Sequence, residues 1–225
     1  MSLITFQSLS SDDKVAAITN SMKYLTKRDD VSLRPVSMWI VCDLETNEGR
    51  TLFSNAVKYM KSSNAVRIGL ISNADPTSKG PQWLARAVHA ALQTQSRNHA
   101  KLFIQKLVKE DNYLSIDRGD TKIQDYEVNG MNMDDFLRQF EDKKANFMEI
   151  QRIFCEKVLN LLPGQRAIIA NGRVFGPLSE DEHFKEDDFV LAEKLILQTS
   201  AANIKAKMEK LASLFTTSGD SLSDL

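Results

Sequence analysis

Gln165-Arg166-Ala167-Ile168-Ile169-Ala170-Asn171-Gly172-Arg173-Val174-Phe175 reads as two short strands joined by a two-residue turn. Asn-Gly supplies the two positive φ angles of a type I′ turn, whose twist matches that of the strands it joins. The stretch predicts an antiparallel hairpin. A hairpin alone is marginally stable, so it needs a larger sheet. That sheet is visible upstream. Val36 to Asp43, with Met38-Trp39-Ile40-Val41-Cys42 at its centre, has the apolar content of a buried strand. After the polar turn Glu45 to Arg50, residues Leu52, Phe53, Ala56, Val57 and Met60 fall on one helical face. Ser62-Ser63-Asn64 ends that helix, and Ala65 to Ser72 forms a second apolar strand. A right-handed crossover makes the two strands parallel.

From Pro81 to about Leu162 the spacing predicts helices only. Trp83, Leu84, Ala87, Val88 and Ala91 share one face, Leu102, Phe103, Leu107 and Val108 another, and Phe147, Ile150, Phe154, Val158 and Leu161 a third. The polar stretch from Asp111 to Gly130 reads as a long loop. Asp187 and Asp188 mark a helix N-terminus ahead of Phe189, Ala192, Leu195 and Ile196. Residues 1–32 read as a polar leader, partly helical through Val15, Ile18, Met22 and Leu25. Residues 33–215 form the domain, with the helical insertion at about 81–162. A last amphipathic segment carries Ile204, Met208, Leu211 and Leu214, and 216–225 is a Ser/Asp-rich tail expected to be disordered.

A βαβ unit, then helices, then a hairpin and a closing helix is the element order of an α/β, thioredoxin-like fold with an all-helical insertion, in a DsbA-like arrangement. In redox-active proteins of this fold a dithiol follows the first strand of the unit, at a helix N-terminus, where the helix dipole lowers the thiol pKa. Here Glu45, Thr46, Asn47 and Glu48 occupy that place. Cys42 lies within the strand and Cys155 within a helix, so there is no Cys-x-x-Cys motif. Either buried free thiols or a disulfide between them fits the sequence. The cis-proline expected just before the hairpin is also displaced: Gly164 holds its place, with Pro163 one residue early. Dithiol exchange is not expected.

Composition narrows the function further. The chain of 225 residues is 42% hydrophobic and 26% charged, and its 29 Lys plus Arg against 30 Asp plus Glu give a net charge of −1. That balance provides no bulk attraction to nucleic acid or an anionic membrane. Lys143-Lys144 and the lysines from Lys205 to Lys210 alternate with other residues, as on a solvated helix face. No apolar run reaches the roughly 18 residues of a membrane span. His89, His99 and His183 are scattered, with no metal-ligand spacing. There is no Gly-x-Ser-x-Gly elbow, and Ser78-Lys79-Gly80-Pro81 lacks the glycine spacing of a phosphate loop. No catalytic or metal residues are expected.

More specific residues remain. Trp39-Ile40-Val41-Cys42-Asp43-Leu44 with Gly49-Arg50, then Gly164 to Leu178, then Glu186-Asp187-Asp188-Phe189, resemble the UDP-glucose:glycoprotein glucosyltransferase family, best its third thioredoxin-like domain. The resemblance covers about 33–205, is tight from Gly164 to Leu178 and loose across 110–145. It implies a redox-inert module of a folding sensor in the endoplasmic reticulum lumen. The parent enzyme moves glucose from UDP-glucose to high-mannose N-glycans of misfolded glycoproteins, using Ca²⁺. Neither ligand is expected on this chain: no Asp-x-Asp occurs, and Asp43-Leu44-Glu45 sits at a strand end in another fold.

Phe103, Met131, Met133, Phe136 and Phe140 are the candidate client-binding residues, since soft apolar side chains can repack around varied partners. The competing reading is that they cement the insertion onto the sheet, as apolar residues at helical spacing usually do. The expected partners are misfolded glycoproteins and neighbouring domains of the parent chain. Two other functions fit the fold: a thiol-disulfide oxidoreductase or isomerase, and a structural spacer.

Overall fold

A computed structural model describes residues 1–28, 33–77, 82–142 and 146–200. Their order is α1 (Leu3–Ser8), α2 (Ser11–Ser21), β1 (Leu25–Thr26), β2 (Val36–Cys42), α3 (Asn47–Ser62), β3 (Val66–Ser72), α4 (Trp83–Thr94), α5 (Arg97–Leu107) and α6 (Glu110–Asp117). A 3-10 turn (Ile123–Tyr126), α7 (Met133–Phe140), α8 (Phe147–Lys157), β4 (Arg166–Ala170) and β5 (Arg173–Leu178) follow. Residues 186–200, the last described, are helical and are labelled α9. The Ile204 to Leu214 segment, the 216–225 tail, Ser78 to Pro81 and Lys143-Lys144 lie outside the described residues.

Among the described residues, five strands form one sheet in the order β1-β3-β2-β4-β5. β2 and β3 are parallel with Val36 opposite Val66, while β4 runs antiparallel to β2 with Ile40 opposite Ile168. The chain is therefore an α/β, thioredoxin-like fold. The hairpin turns where the sequence places it, with φ of 45° at Asn171 and 86° at Gly172. Asn171 also stitches the hairpin to the start of β2: its Oδ1 accepts the Ser37 N–H at 2.8 Å and its Nδ2 donates to the Pro35 carbonyl at 2.9 Å.

Alternation along each strand sorts side chains onto two faces. Met38, Ile40 and Cys42 of β2, Val66 and Ile68 of β3 and Ile168 of β4 face the larger core, with Leu52, Phe53 and Met60 of α3 and Leu84 and Val88 of α4. Val41, Ile71, Ala167 and Ile169 face a smaller core, covered by α8 through Ile153, Phe154 and Cys155. Phe6 and Ile18 belong to that second core and are 0% and 2% exposed. Contacts cross the expected boundary at residue 32: α1 and α2 pack on α8, and β1 pairs with β3. The leader is an integral cover for one sheet face.

The insertion is also more structured than its sequence suggests. Where a loop from Asp111 to Gly130 was expected, Glu110–Asp117 is helical and Ile123 anchors a 3-10 turn, 7% exposed. These elements are short and carry one buried side chain apiece, Tyr113 and Ile123, too few to produce a visible period. The closing helix begins near its acidic pair: Asp188 Oδ2 accepts the Lys185 N–H at 2.7 Å, satisfying a backbone donor at the helix start.

Candidate functional site

The site begins at the carboxyl end of β2, where this fold can carry a dithiol. Asp43 is 2% exposed, and its carboxylate accepts the N–H groups of Glu45 at 2.9 Å and Asp75 at 3.3 Å. Thr46 is the N-cap of α3: its Oγ1 accepts the Gly49 N–H at 3.1 Å and donates to the Asp43 carbonyl at 2.8 Å. Asn47 and Glu48 follow, exposed in the first turn of α3, with Glu48 favourably placed at the positive end of the helix dipole.

Glu45 turns away from α3. Its Oε1 accepts the Leu84 N–H at 3.0 Å, and its Oε2 accepts the Tyr113 hydroxyl at 3.0 Å. Gln82, at the N-cap of α4, makes no side-chain capping bond, so the carboxylate of Glu45 takes over that task from a distant part of the chain. Burial pushes the Glu45 carboxyl above the ordinary carboxylate range, partly offset by the bonds from Tyr113 and Leu84. Burial, with Glu45 as neighbour, also raises the Tyr113 phenol.

Arg50 completes the corner. It is 4% exposed. Its Nε and Nη2 reach the two carboxylate oxygens of Glu110 at 3.0 Å each, and its Nη1 donates to the carbonyls of Leu44 at 3.1 Å and Glu45 at 2.8 Å. Its guanidinium lies 3.6 Å from the centre of the Tyr113 ring, and Tyr113 stacks on Trp83 at 5.3 Å. The planar, multi-donor guanidinium suits this combination of bidentate pairing and stacking. The corner thus joins α3, α4 and α6.

Pro163 and Gly164 reach the same end of the sheet through Asn73. The Asn73 side-chain amide donates to the carbonyls of Leu162 and Gln165 at 2.8 and 2.9 Å, and the Asn73 carbonyl accepts the Gly164 N–H at 2.8 Å. The Pro163 position carries no cis bond; the cis peptide joins Gly176 to Pro177 in β5. Cys42 and Cys155 are both free and buried, and burial pushes the Cys42 thiol far up and the Cys155 thiol up to about 12. The disulfide alternative is not adopted.

The five candidate client-binding residues are buried or half-buried. Phe103 and Phe136 are 0% exposed and Met131 is 9%. Phe103 meets Phe136 edge-on at 5.0 Å, Phe136 stacks on Phe140 at 5.6 Å, and Met133 packs on the same core. Phe103 joins α5 to α7 through Phe136, while α7 packs chiefly on α4, where Arg86 lies over the Phe140 ring. Sequence reading missed Trp83, Tyr113 and Glu110 as site residues, and it noted Arg50 without a role. A cation on the buried side of an apolar helix was the available signal for Arg50; nothing local announced Glu110.

Among the described residues no group of three or more His, Cys, Asp or Glu could hold a metal ion. Asp43 and Glu45 are committed to backbone donors, so they do not fit a Ca²⁺ site. No helix among the described residues is long and apolar enough to cross a membrane.

A thioredoxin-like domain family matches residues 5–223. UDP-glucose:glycoprotein glucosyltransferase 1 of Homo sapiens is 43% identical over 215 residues, covering 92% of this chain and 14% of that protein, so the chain spans about one seventh of the relative's length. The thiol-disulfide exchange protein α-DsbA2 of Wolbachia pipientis superimposes with a TM-score of 0.54 at 13% identity, covering 84% of this chain and 95% of that one. The Trx3 domain of UGGT superimposes with a TM-score of 0.48 at 20% identity, over 81% and 98% of the two chains. The likeness to α-DsbA2 speaks to the fold alone.

Proposed function

The chain belongs to the UDP-glucose:glycoprotein glucosyltransferase family as a thioredoxin-like domain, and we propose that it serves there as a redox-inert module that holds neighbouring domains in place for recognition of misfolded glycoproteins in the endoplasmic reticulum lumen. The observation that carries this reading is Glu45 capping α4 at the site of a dithiol. A carboxylate committed to a backbone N–H and a phenol does structural work and can neither accept nor release electrons. The two thiols are buried, and the thiolate that exchange requires is suppressed in both.

UDP-glucose and Ca²⁺ are assigned to other parts of the longer protein, since this chain accounts for 14% of its relative. Phe103 and Phe136 are fully buried, so client contact through Phe103, Met131, Met133, Phe136 and Phe140 requires the insertion to open, which makes positioning the simpler contribution. Two measurements on one preparation series test the proposal. The isolated chain should not reduce insulin in the presence of dithiothreitol. In a full-length family member carrying this domain, Arg50→Gln with Glu110→Gln should lower glucose transfer to a misfolded glycoprotein while UDP-glucose hydrolysis stays unchanged. Insulin reduction above background, or transfer indifferent to the loosened corner, overturns the reading.

A further inference from the structure

On the far side of α3 from its capping turn, an open groove of about 390 Å³ runs between α3 and α5. Val57, Leu102, Val108 and Val128 give it an apolar lining. Val57 and Val108 are recessed at 2% and 6% exposure, while Leu102 stands 40% exposed. Lys58 and Lys61 lie one turn apart on α3, Lys106 lies in the last turn of α5 and Lys109 is the N-cap of α6, so four ammonium groups flank the groove. No carboxylate lines it. Lys106 Nζ is held by the neutral carbonyls of Tyr126 at 3.2 Å and Glu127 at 2.8 Å, which fix the position of its charge without cancelling it. In a chain of net charge −1, four lysines around one apolar groove are a local concentration of positive charge.

We propose that this groove docks a separate polypeptide through an acidic amphipathic segment. The partner's apolar side chains cover Leu102 and the valines, and its Asp or Glu residues meet the flanking lysines. Apolar contact sets the depth of binding, and the charges set register and speed of encounter. The recessed floor favours a narrow segment laid between two helices over the broad, flat face of a bilayer. The proposal needs neither redox inertness nor the glucosyltransferase reading, and the chain alone tests it.

A fluorescent, short acidic amphipathic peptide titrated into the whole chain should raise its anisotropy saturably, and added salt should weaken the binding. Lys58→Glu with Lys109→Glu should weaken it about tenfold or more, as reversal of two facing charges turns attraction into repulsion. Leu102→Ser should weaken it through the apolar contact alone; all three positions are exposed, and circular dichroism verifies that these variants fold. Lys122→Glu, outside the groove, should leave affinity unchanged. The proposal is overturned if the peptide does not bind, or if it binds the variants as well as the parent. It is equally overturned if anionic vesicles compete the peptide away, which assigns the groove to lipid, or if self-association lost in the charge-reversed variant blocks the peptide, which assigns it to a second copy.

Discussion

Glu45 Oε1 stands 3.0 Å from the backbone nitrogen of Leu84, so a side chain at the end of the first long strand caps a helix that begins nearly forty residues later. Helix α4 has no cap of its own at Gln82, and an uncapped first turn leaves N–H groups without acceptors. Glu45→Ala should therefore lose about 1–2 kcal/mol of unfolding free energy, the usual cost of removing an N-terminal cap. Glu45→Gln keeps an acceptor for Leu84 and can donate to the Tyr113 oxygen, so it should lose much less. Urea denaturation of the three proteins checks the order.

The same carboxylate makes stability depend on pH with an unusual sign. Burial raises Glu45 above its unfolded value, so across that window the folded chain holds more protons than the unfolded chain, and stability falls as pH rises. His89 acts oppositely. Stacked on Phe147 at 3.7 Å and buried, it is lowered from 6.5 to about 4, so the unfolded chain binds more protons in between and stability falls as pH drops. By pH 4 the His89 contribution amounts to about 3 kcal/mol. Glu45→Gln should lessen the decline with rising pH, leaving the part due to Glu193, which burial also raises, and His89→Gln should flatten the acid limb. Denaturation midpoints at several pH values, compared with the parent, separate the two.

Arg50 and Glu110 should prove energetically coupled. The Arg50 side chain is 5% exposed and that of Glu110 is 44% exposed. Glu110→Gln leaves a buried guanidinium without its counter-ion, whereas Arg50→Met leaves a carboxylate that water can solvate but strands the Leu44 and Glu45 carbonyls. Each single change should cost about 2–4 kcal/mol, and the double variant clearly less than their sum, because removing both partners removes the uncompensated charge. A double-mutant cycle measured by denaturation gives the coupling directly.

The fold was readable from local chemistry while the corner was not, and the difference is one of range. Asn171-Gly172 dictates its turn through backbone angles alone, and Leu52, Phe53 and Ala56 reveal their helix through spacing. Glu45 was singled out as part of a degenerate redox loop, without its partners. Its partners Leu84 and Tyr113 lie 39 and 68 residues away, and the pairing is set only when α4 and α6 pack over the end of β2. The burial of the candidate client-binding residues was hard to read for a related reason. Phe103 falls on a clear helical face and Phe136 in a helix of only two turns, and their edge-on contact is set only when α5 and α7 come together.

Both thiols should resist modification in the folded chain. Cys42 and Cys155 are 0% exposed, and burial disfavours their thiolates. Ellman's reagent should label neither thiol in native buffer on a timescale of minutes and both on addition of guanidinium chloride. Fast native labelling of one equivalent would mean that β2 or α8 opens locally, and would place a reactive sulfur beside the vacated dithiol site.

Gly49 supplies the sharpest steric test, since here the constraint is distance rather than backbone angle. A Cβ at this position would lie 1.8 Å from the Asp43 carbonyl oxygen and 2.7 Å from its carbon. That carbonyl cannot retreat easily, being held by the Thr46 hydroxyl at 2.8 Å within a turn whose aspartate is buried. Gly49→Ala should cost about 3 kcal/mol or more through forced displacement of the turn. Gly172 provides the contrast: a Cβ there meets nothing within 4 Å, and only its φ of +86° opposes a side chain. Gly172→Ala should cost about 1–2 kcal/mol, the penalty of a left-handed alanine. If the two substitutions prove equally mild in thermal melts, the turn at Asp43 is softer than its hydrogen bonds indicate, and Glu45 cannot be held firmly enough to cap α4.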